Sequence, residues 1–329
     1  MMIVQRLVSA GSGDKLERHL IEPGEQLPAD ARWIDLLEPT REEDRHVEEL
    51  LGIAVPTRDD MVGLEPSELL WTENRARYMI ARLLVKPDAG EPEMAAVTFI
   101  LTDNTLVTVR YSEPKSFDMF LNRATKPGGC GRTAEALLAG LVEAIINRAA
   151  DMLQEAGSQI DAVSEAVFRE TVRPGDRNAS LQRTLRLLGR HGDFVSKARE
   201  SFVSLERMLL FLSANFDADH VAPELREAIG TTLRDLQSLE EHASFQSNKI
   251  QFLLDATLGL VNLEQNNIIK LFSVMAVIFM PPTLVASVYG MNFEHMPELK
   301  WEYGYPMALG MMVIVAVAPY FLFRWKNWL

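Results

Sequence analysis

Few residues of this sequence have the types and spacing that chemistry needs, and most of those fail on inspection. The stretch "KPGGCGRT", Lys126 to Thr133, carries the glycines of a phosphate-cradling loop. Its spacing is wrong: Lys126 occupies the position five before Gly131 where that loop has Gly, and Arg132 stands in place of the Lys. A flexible turn, with Thr133 capping the helix that follows, accounts for it better. Cys130 is the one cysteine, so it has no intrachain disulfide partner, and no His or Asp lies near it in sequence to activate it. The six histidines, His19, His46, His191, His220, His242 and His295, form no i, i+4 pair and join no acidic or thiol cluster at zinc-ligand spacing. Asp59 and Asp60 in "PTRDDMVGLEPSE" could help hold a cation at a subunit contact, but a solvated helix start explains them better. No constellation organises bond-making, so neither an enzyme activity nor an organic cofactor is expected.

The handling of cations is the chemistry that remains. A net charge of -13 disfavours nucleic acid as a partner, because phosphate binding relies on clustered Lys and Arg. One polar and aromatic segment, "YGMNFEHMPELKWEYGYP" from Tyr289 to Pro306, sits between two apolar runs. "LFSVMAVIFMPPTLVASVYG", Leu271 to Gly290, is charge-free and matches the ~20 residues a helix needs to cross a bilayer. "PMALGMMVIVAVAPYFLF", Pro306 to Phe323, is a second such run near the lower end of that range. Lys270 precedes the first run, and Arg324 and Lys326 follow the second. The segment between them has Glu294, Glu298 and Glu302 against Lys300 alone. The positive-inside tendency then predicts an inner-membrane protein with both termini cytoplasmic. Trp301, Tyr303, Tyr305, Trp325 and Trp328 suit interfacial aromatic belts. No signal peptide is expected from "MMIVQRLVSAGSGDK", which lacks a basic lead and a long apolar core.

The elements before the membrane change character along the chain. "MIVQRLVS", "RWIDLL", "RARYMIARLLV", "EMAAVTFIL" and "NTLVTVR" are β-branched, apolar runs bounded by turn residues and read as strands. Between them, "PTREEDRHVEELLGI" reads as a helix, with Thr40 and Glu43 forming a capping box. After about Thr133 the spacing turns helical, with two long segments broken at "TVRPGDRN" that predict a helical hairpin. From Pro223 no proline appears until Pro281, so one helix is predicted to run straight into the first membrane span. Such a helix would extend roughly 100 Å, too far for one small domain to bury, and bundled copies of the chain are the simplest covering. The expected organisation is 1–142 cytoplasmic α/β domain, 143–269 helical hairpin and stalk, 270–290 first membrane helix, 291–305 outer loop, 306–324 second membrane helix and 325–329 cytoplasmic tail.

Stepping by three and four along the first span from Asn266 gives Ile269, Ser273, Ala276, Met280, Thr283 and Ser287. This stripe of mostly small or mildly polar residues lies on one side of an otherwise bulky helix. It suits either a pore wall or a helix-packing face.

The Gly290-Met291-Asn292 triplet, the "MPEL" loop and the "KNWL" end together resemble the CorA family of magnesium and cobalt transporters. The likeness is continuous from about "NKIQFLLD" to Leu329 and is one of pattern and order over the first 140 residues. It implies an α+β chain, in which a cytoplasmic α/β domain is followed by a long helical stalk and two transmembrane helices, assembled as a funnel-shaped homopentamer in the lipid bilayer. The implied pore positions are Asn266, Ile269, Phe272, Ala276, Met280, Thr283 and Asn292, with Gly290, Met291 and Asn292 as the selectivity filter.

Mg²⁺ dehydrates reluctantly, so a ring of Asn292 carbonyls would read the ion through its hydration shell. Gly290 would let the backbone turn out of the helix, and Met291 would pack rather than coordinate, since thioethers bind hard cations poorly. Glu294, Glu298 and Glu302 around the outer mouth would concentrate divalent cations by their field. In some family members acidic residues between cytoplasmic domains bind regulatory Mg²⁺. The matching positions here are Val62 and Gly63, which leaves Asp59 and Asp60, a turn away, as candidates. The alternatives are a zinc transporter of the ZntB kind, in which the triplet and loop differ, and a membrane-anchored scaffold or sensor. Met280, Phe272 and Ile269 would make apolar rings able to gate by dewetting. Phe272→Ala is therefore expected to raise cation leak in a liposome flux assay, and unchanged flux would remove that role from Phe272.

Overall fold

The turn before the first helix explains how the sheet is entered. Thr40 Oγ1 accepts from the Glu43 amide, and the Glu43 carboxylate accepts from the Thr40 amide at 2.8 Å, so the expected capping box starts α1 (Arg41–Leu51). The computed structural model describes the whole chain except residues 11–12, 23, 29, 64–65, 87–89, 130, 170–176, 216–221, 292–295, 297–300 and 327–329. Its strands are β1 (Met2–Ala10), β2 (Gly13–Leu20), β3 (Ala31–Leu37), β4 (Leu70–Glu73), β5 (Ala76–Val85), β6 (Glu93–Leu101) and β7 (Leu106–Arg110). They form one sheet in the order β2-β1-β3-β7-β6-β5-β4, with β3 and β7 parallel and the other pairs antiparallel. Further helices are α2 (Pro66–Leu69), α3 (Lys115–Ala124), α4 (Ala134–Phe168), α5 (Arg177–Ala214), α6 (Pro223–Tyr289) and α7 (Gly304–Trp325).

The five strands expected from their apolar runs are present, as is the start of α6 at Pro223, but β2, β4 and α3 go beyond the sequence reading. Leu16 is the buried apolar residue of β2, which lies at the sheet edge, and charge on such strands deters pairing with other chains. β4 is only four residues long. α3 owes its place to Phe117, tilted against Trp33, and Phe120, edge-on to it, in a setting that spacing alone does not reveal.

The chain divides into two compact units, 1–170 with 184–254 and 171–183 with 255–329. In the first, α1 covers one sheet face through Val47, against Ile34, Leu36, Ile100 and Val109. On the other face, α3 and α4 join Trp33, Phe99 and Leu106 in a core that continues into residues of α5 and α6, such as Phe202 and Leu236. Thr133 caps α4 as expected, its Oγ1 accepting from the Ala136 amide at 3.2 Å. Helix α4 therefore begins before residue 142 and continues through it.

Two polar devices complete this unit. The buried Asp35 accepts from Thr108 Oγ1 at 2.7 Å and from Arg110 Nη2 at 2.8 Å, and Trp33 Nε1 donates to the same threonine. This network stitches the parallel pair β3 and β7, and pairing is what makes such buried charge tolerable. Beyond its pairing with β4, strand β5 would present bare amides. Those of Arg82 and Leu84 instead donate to Ser204 and Ser201 Oγ on α5, at 2.9 and 3.1 Å.

One carboxyl is placed at a cost. Asp44 on α1 has a buried Oδ1 with no partner among the described residues. Burial, then the carboxylates of Glu48 and Glu43, push its pKa up from 3.8 to about 6. An acid raised in the folded state destabilises the fold where it is ionised, above pH 6, and the penalty disappears as pH falls to the ordinary value of 3.8. Asp44→Asn is expected to stabilise the full-length protein in detergent at pH 7.5 by roughly 1 kcal/mol after solvent screening. The advantage over the parent should shrink towards pH 4, and equal melting temperatures at pH 7.5 would contradict it.

Candidate ion pore

In the second unit, α6 from Asp255 and α7 carry the two apolar windows long enough to cross a membrane. Those windows have mean hydropathy 2.0 each, and 0% and 6% of them is buried, so almost none of their residues is fully enclosed by the chain itself. Trp301, Tyr303 and Tyr305 are exposed before and within the first turn of α7, and Trp325 is exposed at its end. These are the ends where interfacial aromatics belong.

The candidate pore residues within α6 share a largely exposed face. Ile269 is 61%, Phe272 65% and Met280 70% exposed, Asn266, Ser273, Thr283 and Ser287 are exposed, and Ala276 is half-buried. A different stripe of the same helix, Val274, Ile278, Pro281, Val285 and Tyr289, is half-buried. At about 100° per residue the two stripes lie roughly 150° apart around the axis. The face with small and polar side chains is thus turned away from the partly covered one. Helix α7 has its own covered stripe, starting at the buried Gly304 and Ala308, residues small enough for close helix approach.

Pro281 and Pro282 lie inside α6, which continues as helix through them. Neither has an amide proton, so the carbonyls of Val277 and Ile278 lose their usual helical donors. The next carbonyl, that of Phe279, accepts the Thr283 hydroxyl at 2.7 Å. Thr283 is thus more than a polar position on the candidate pore face. Its hydroxyl proton is turned back onto its own helix, which leaves the oxygen as an acceptor, and a threonine four residues after a carbonyl beside two prolines is the signal for this.

At the end of α6, Gly290 donates its amide to Ala286 O at 2.9 Å. A Cβ on Gly290 would meet that same carbonyl at 3.0 Å, so a side chain would force the turn to shift. Met291 follows, 47% exposed. Asn292, Glu294 and Glu298 lie outside the described residues, and Glu302 is exposed just before α7.

The acidic pair Asp59 and Asp60 belongs to the first unit, at an exposed one-turn 3-10 helix, Asp60–Val62. The Asp60 carboxylate accepts from the Thr57 hydroxyl at 2.7 Å and the Thr57 amide at 2.8 Å, and these bonds hold its pKa below the ordinary range. Val62 is exposed. Among the described residues no three His, Cys, Asp or Glu side chains gather as metal ligands. A polar cavity of about 730 Å³ at one end of the sheet escaped the linear reading, because its arginines come from separate segments.

Comparison with known proteins agrees with this layout. Residues 28–325 match the family described as CorA-like Mg²⁺ transporter protein. The magnesium transport protein CorA of Yersinia pseudotuberculosis is 34% identical over 316 residues, covering 96% of this chain and 97% of the relative. That of Escherichia coli K12 is 34% identical over the same length, with the same coverage. The complete structure of the CorA magnesium transporter from Methanocaldococcus jannaschii superposes with a TM-score of 0.73 at 18% identity, over 100% of this chain and 99% of that one. A sheet domain, a long helix and two C-terminal apolar helices are common to fold and family, and the chain belongs to the CorA-like Mg²⁺ transporter proteins.

Proposed function

We propose that this chain is an inner-membrane Mg²⁺ channel that also passes Co²⁺ and Ni²⁺, working as a homopentamer with both termini cytoplasmic. The observation that carries the reading is the largely exposed stripe from Asn266 to Ser287, mostly small or mildly polar on a helix that is otherwise apolar and partly covered on its far side. The names of the curated relatives, magnesium transport proteins matched over nearly their whole length, supply the ion. Five α6 helices around an axis would turn that stripe inward, and α7 would form an outer ring against lipid.

The mechanism follows from the ion. Five Asn292 carboxamides offer neutral acceptors to the water shell of Mg²⁺, which binds weakly enough to leave again. Glu294, Glu298 and Glu302 act one step earlier, raising the cation concentration at the mouth. Below the filter the ion passes the acceptor oxygens of Thr283 and Ser287 and then the apolar rings of Met280, Phe272 and Ile269. A divalent ion moving inward down 100 mV gains roughly 4.6 kcal/mol, twice the ~2.3 kcal/mol per charge, so no nucleotide is needed as a driving force. Regulatory Mg²⁺ would act at Asp59 and Asp60. Millimolar Mg²⁺ should then protect the N-terminal region from protease in the parent and less so in a double Asn variant, whereas equal protection would place regulation elsewhere.

The central test is flux. Reconstituted protein should carry Mg²⁺ into liposomes under a negative-inside potential, with block by hexaammine cobalt, a mimic of the hydrated ion. Asn292→Ala should lose that flux, and transport of Zn²⁺ on a proton gradient without Mg²⁺ flux would favour the zinc reading instead. Gly290→Ala should also cut Mg²⁺ flux, because the added methyl crowds the Ala286 carbonyl at 3.0 Å while the oligomer stays intact by size-exclusion chromatography. A variant with parental flux would mean that the turn tolerates a side chain.

A further inference from the structure

We propose that the polar cavity at the sheet end of the first unit binds a small polyphosphate anion. The cavity, of about 730 Å³, is bounded by the start of β3, the β4–β5 and β6–β7 turns, the first residues of α4 and Asn215 just after α5. That volume falls within the ~300–1,000 Å³ of small-ligand sites. Arg32, Arg75, Arg77 and Arg132 line it against the carboxylates of Asp103 and Glu135, an excess of positive charge in a chain whose net charge is -13.

Two of these guanidinium groups are already engaged. Arg77 pairs with Glu135 at 3.4 Å, and Arg132 pairs with Asp14. The other two have no carboxylate partner among the described residues. Arg32 reaches only the Asn104 carbonyl, at 3.4 Å, and its Nε is buried without a hydrogen-bond partner. A buried donor of that kind costs stability until something accepts from it.

The second, independent observation is the backbone of the β4–β5 turn. Glu73 pairs with Ala76, so Asn74 and Arg75 form a two-residue hairpin turn, with φ of 49° and 65°. Turns with both central residues at positive φ favour Asn-Gly, because only glycine takes the second position without steric cost. An arginine holds it here, and its exposed guanidinium stands at the rim of the cavity. The arrangement sacrifices local stability to keep a charge in place. Arginine forks match phosphate oxygens bidentately, and the positive end of α4, whose Ala136 amide is already capped by Thr133, adds a field that favours negative charge, which suits a chain of phosphates better than a single one.

The test is binding to the full-length protein in detergent, read by calorimetry without reference to flux, so that it stands apart from the transport reading. Tripolyphosphate and ATP, each without Mg²⁺, should bind one per chain, with affinity that falls as salt rises. Equal binding of the two would assign recognition to the phosphates alone, and a preference for ATP would add the nucleoside; both outcomes support the site. Arg75→Gly, which relieves the positive-φ strain and so should melt no lower than the parent, is expected to weaken binding about tenfold. Arg32→Gln should weaken it similarly. Absence of binding by both ligands, parental affinity in Arg75→Gly, or orthophosphate binding as tightly as tripolyphosphate would each overturn the proposal.

Discussion

Hydrocarbon offers no water to a backbone, so only an element that closes its own hydrogen bonds can be left bare within it. The end of α6 and the whole of α7 meet that condition apart from the carbonyls that face Pro281, Pro282 and Pro319, and almost none of the residues in their apolar windows is fully buried by the rest of the chain. Everything else follows from having to present such a surface. The aromatics gather at the ends of α7, the polar stripe is confined to one side of α6, and the buried small residues Gly304 and Ala308 mark where α7 is closely approached. Were both helices to meet water, Phe272, Phe279, Met280, Ile314 and Phe321, each more than half exposed, would add a large apolar surface at a hydrophobic cost.

The first unit solves the opposite problem, holding charge and sheet edges in place around a buried core. Its sheet has one parallel pair, β3 with β7, and across that pair Asp35, Thr108, Arg110 and Trp33 satisfy one another. Arg110 also lies over the Phe117 ring, 4.8 Å from its centroid, so the same group links the sheet to α3. At the other end of the sheet, α5 uses two serines three residues apart to close the β5 edge. These interactions order the sheet on which the arginine cavity is built.

Local signals were legible because they act within a few residues. The capping box of Thr40 and Glu43, the Thr133 cap and the Pro223 start each depend on one turn of chain, and each is where its spacing placed it. Strands with unbroken apolar runs were legible for the same reason. β2 was not, because an edge strand hides its purpose behind charge, and α3 was not, because Phe117 and Phe120 acquire meaning only from the Trp33 they pack against. The acidic pair at residues 59–60 reads in one dimension as a solvated helix start before it reads as a cation site. In three, Asp60 serves its own turn through Thr57.

By itself, then, the sequence determined the periodicity of its helices, the two spans able to enter a membrane, the small and polar stripe along the first of them, and the triplet Gly290, Met291 and Asn292. Each is a property of neighbouring residues, read through 3.6-residue spacing or through the cost of moving charge into lipid. Tertiary structure decided which face of α6 is partly covered and which is bare, and that the Thr283 hydroxyl points back to its helix. It also decided that Arg32, Arg75, Arg77 and Arg132, up to a hundred residues apart in sequence, share one cavity. The physical reason is that burial and electrostatic neighbourhood depend on which distant segments the sheet brings together, and no local spacing encodes that.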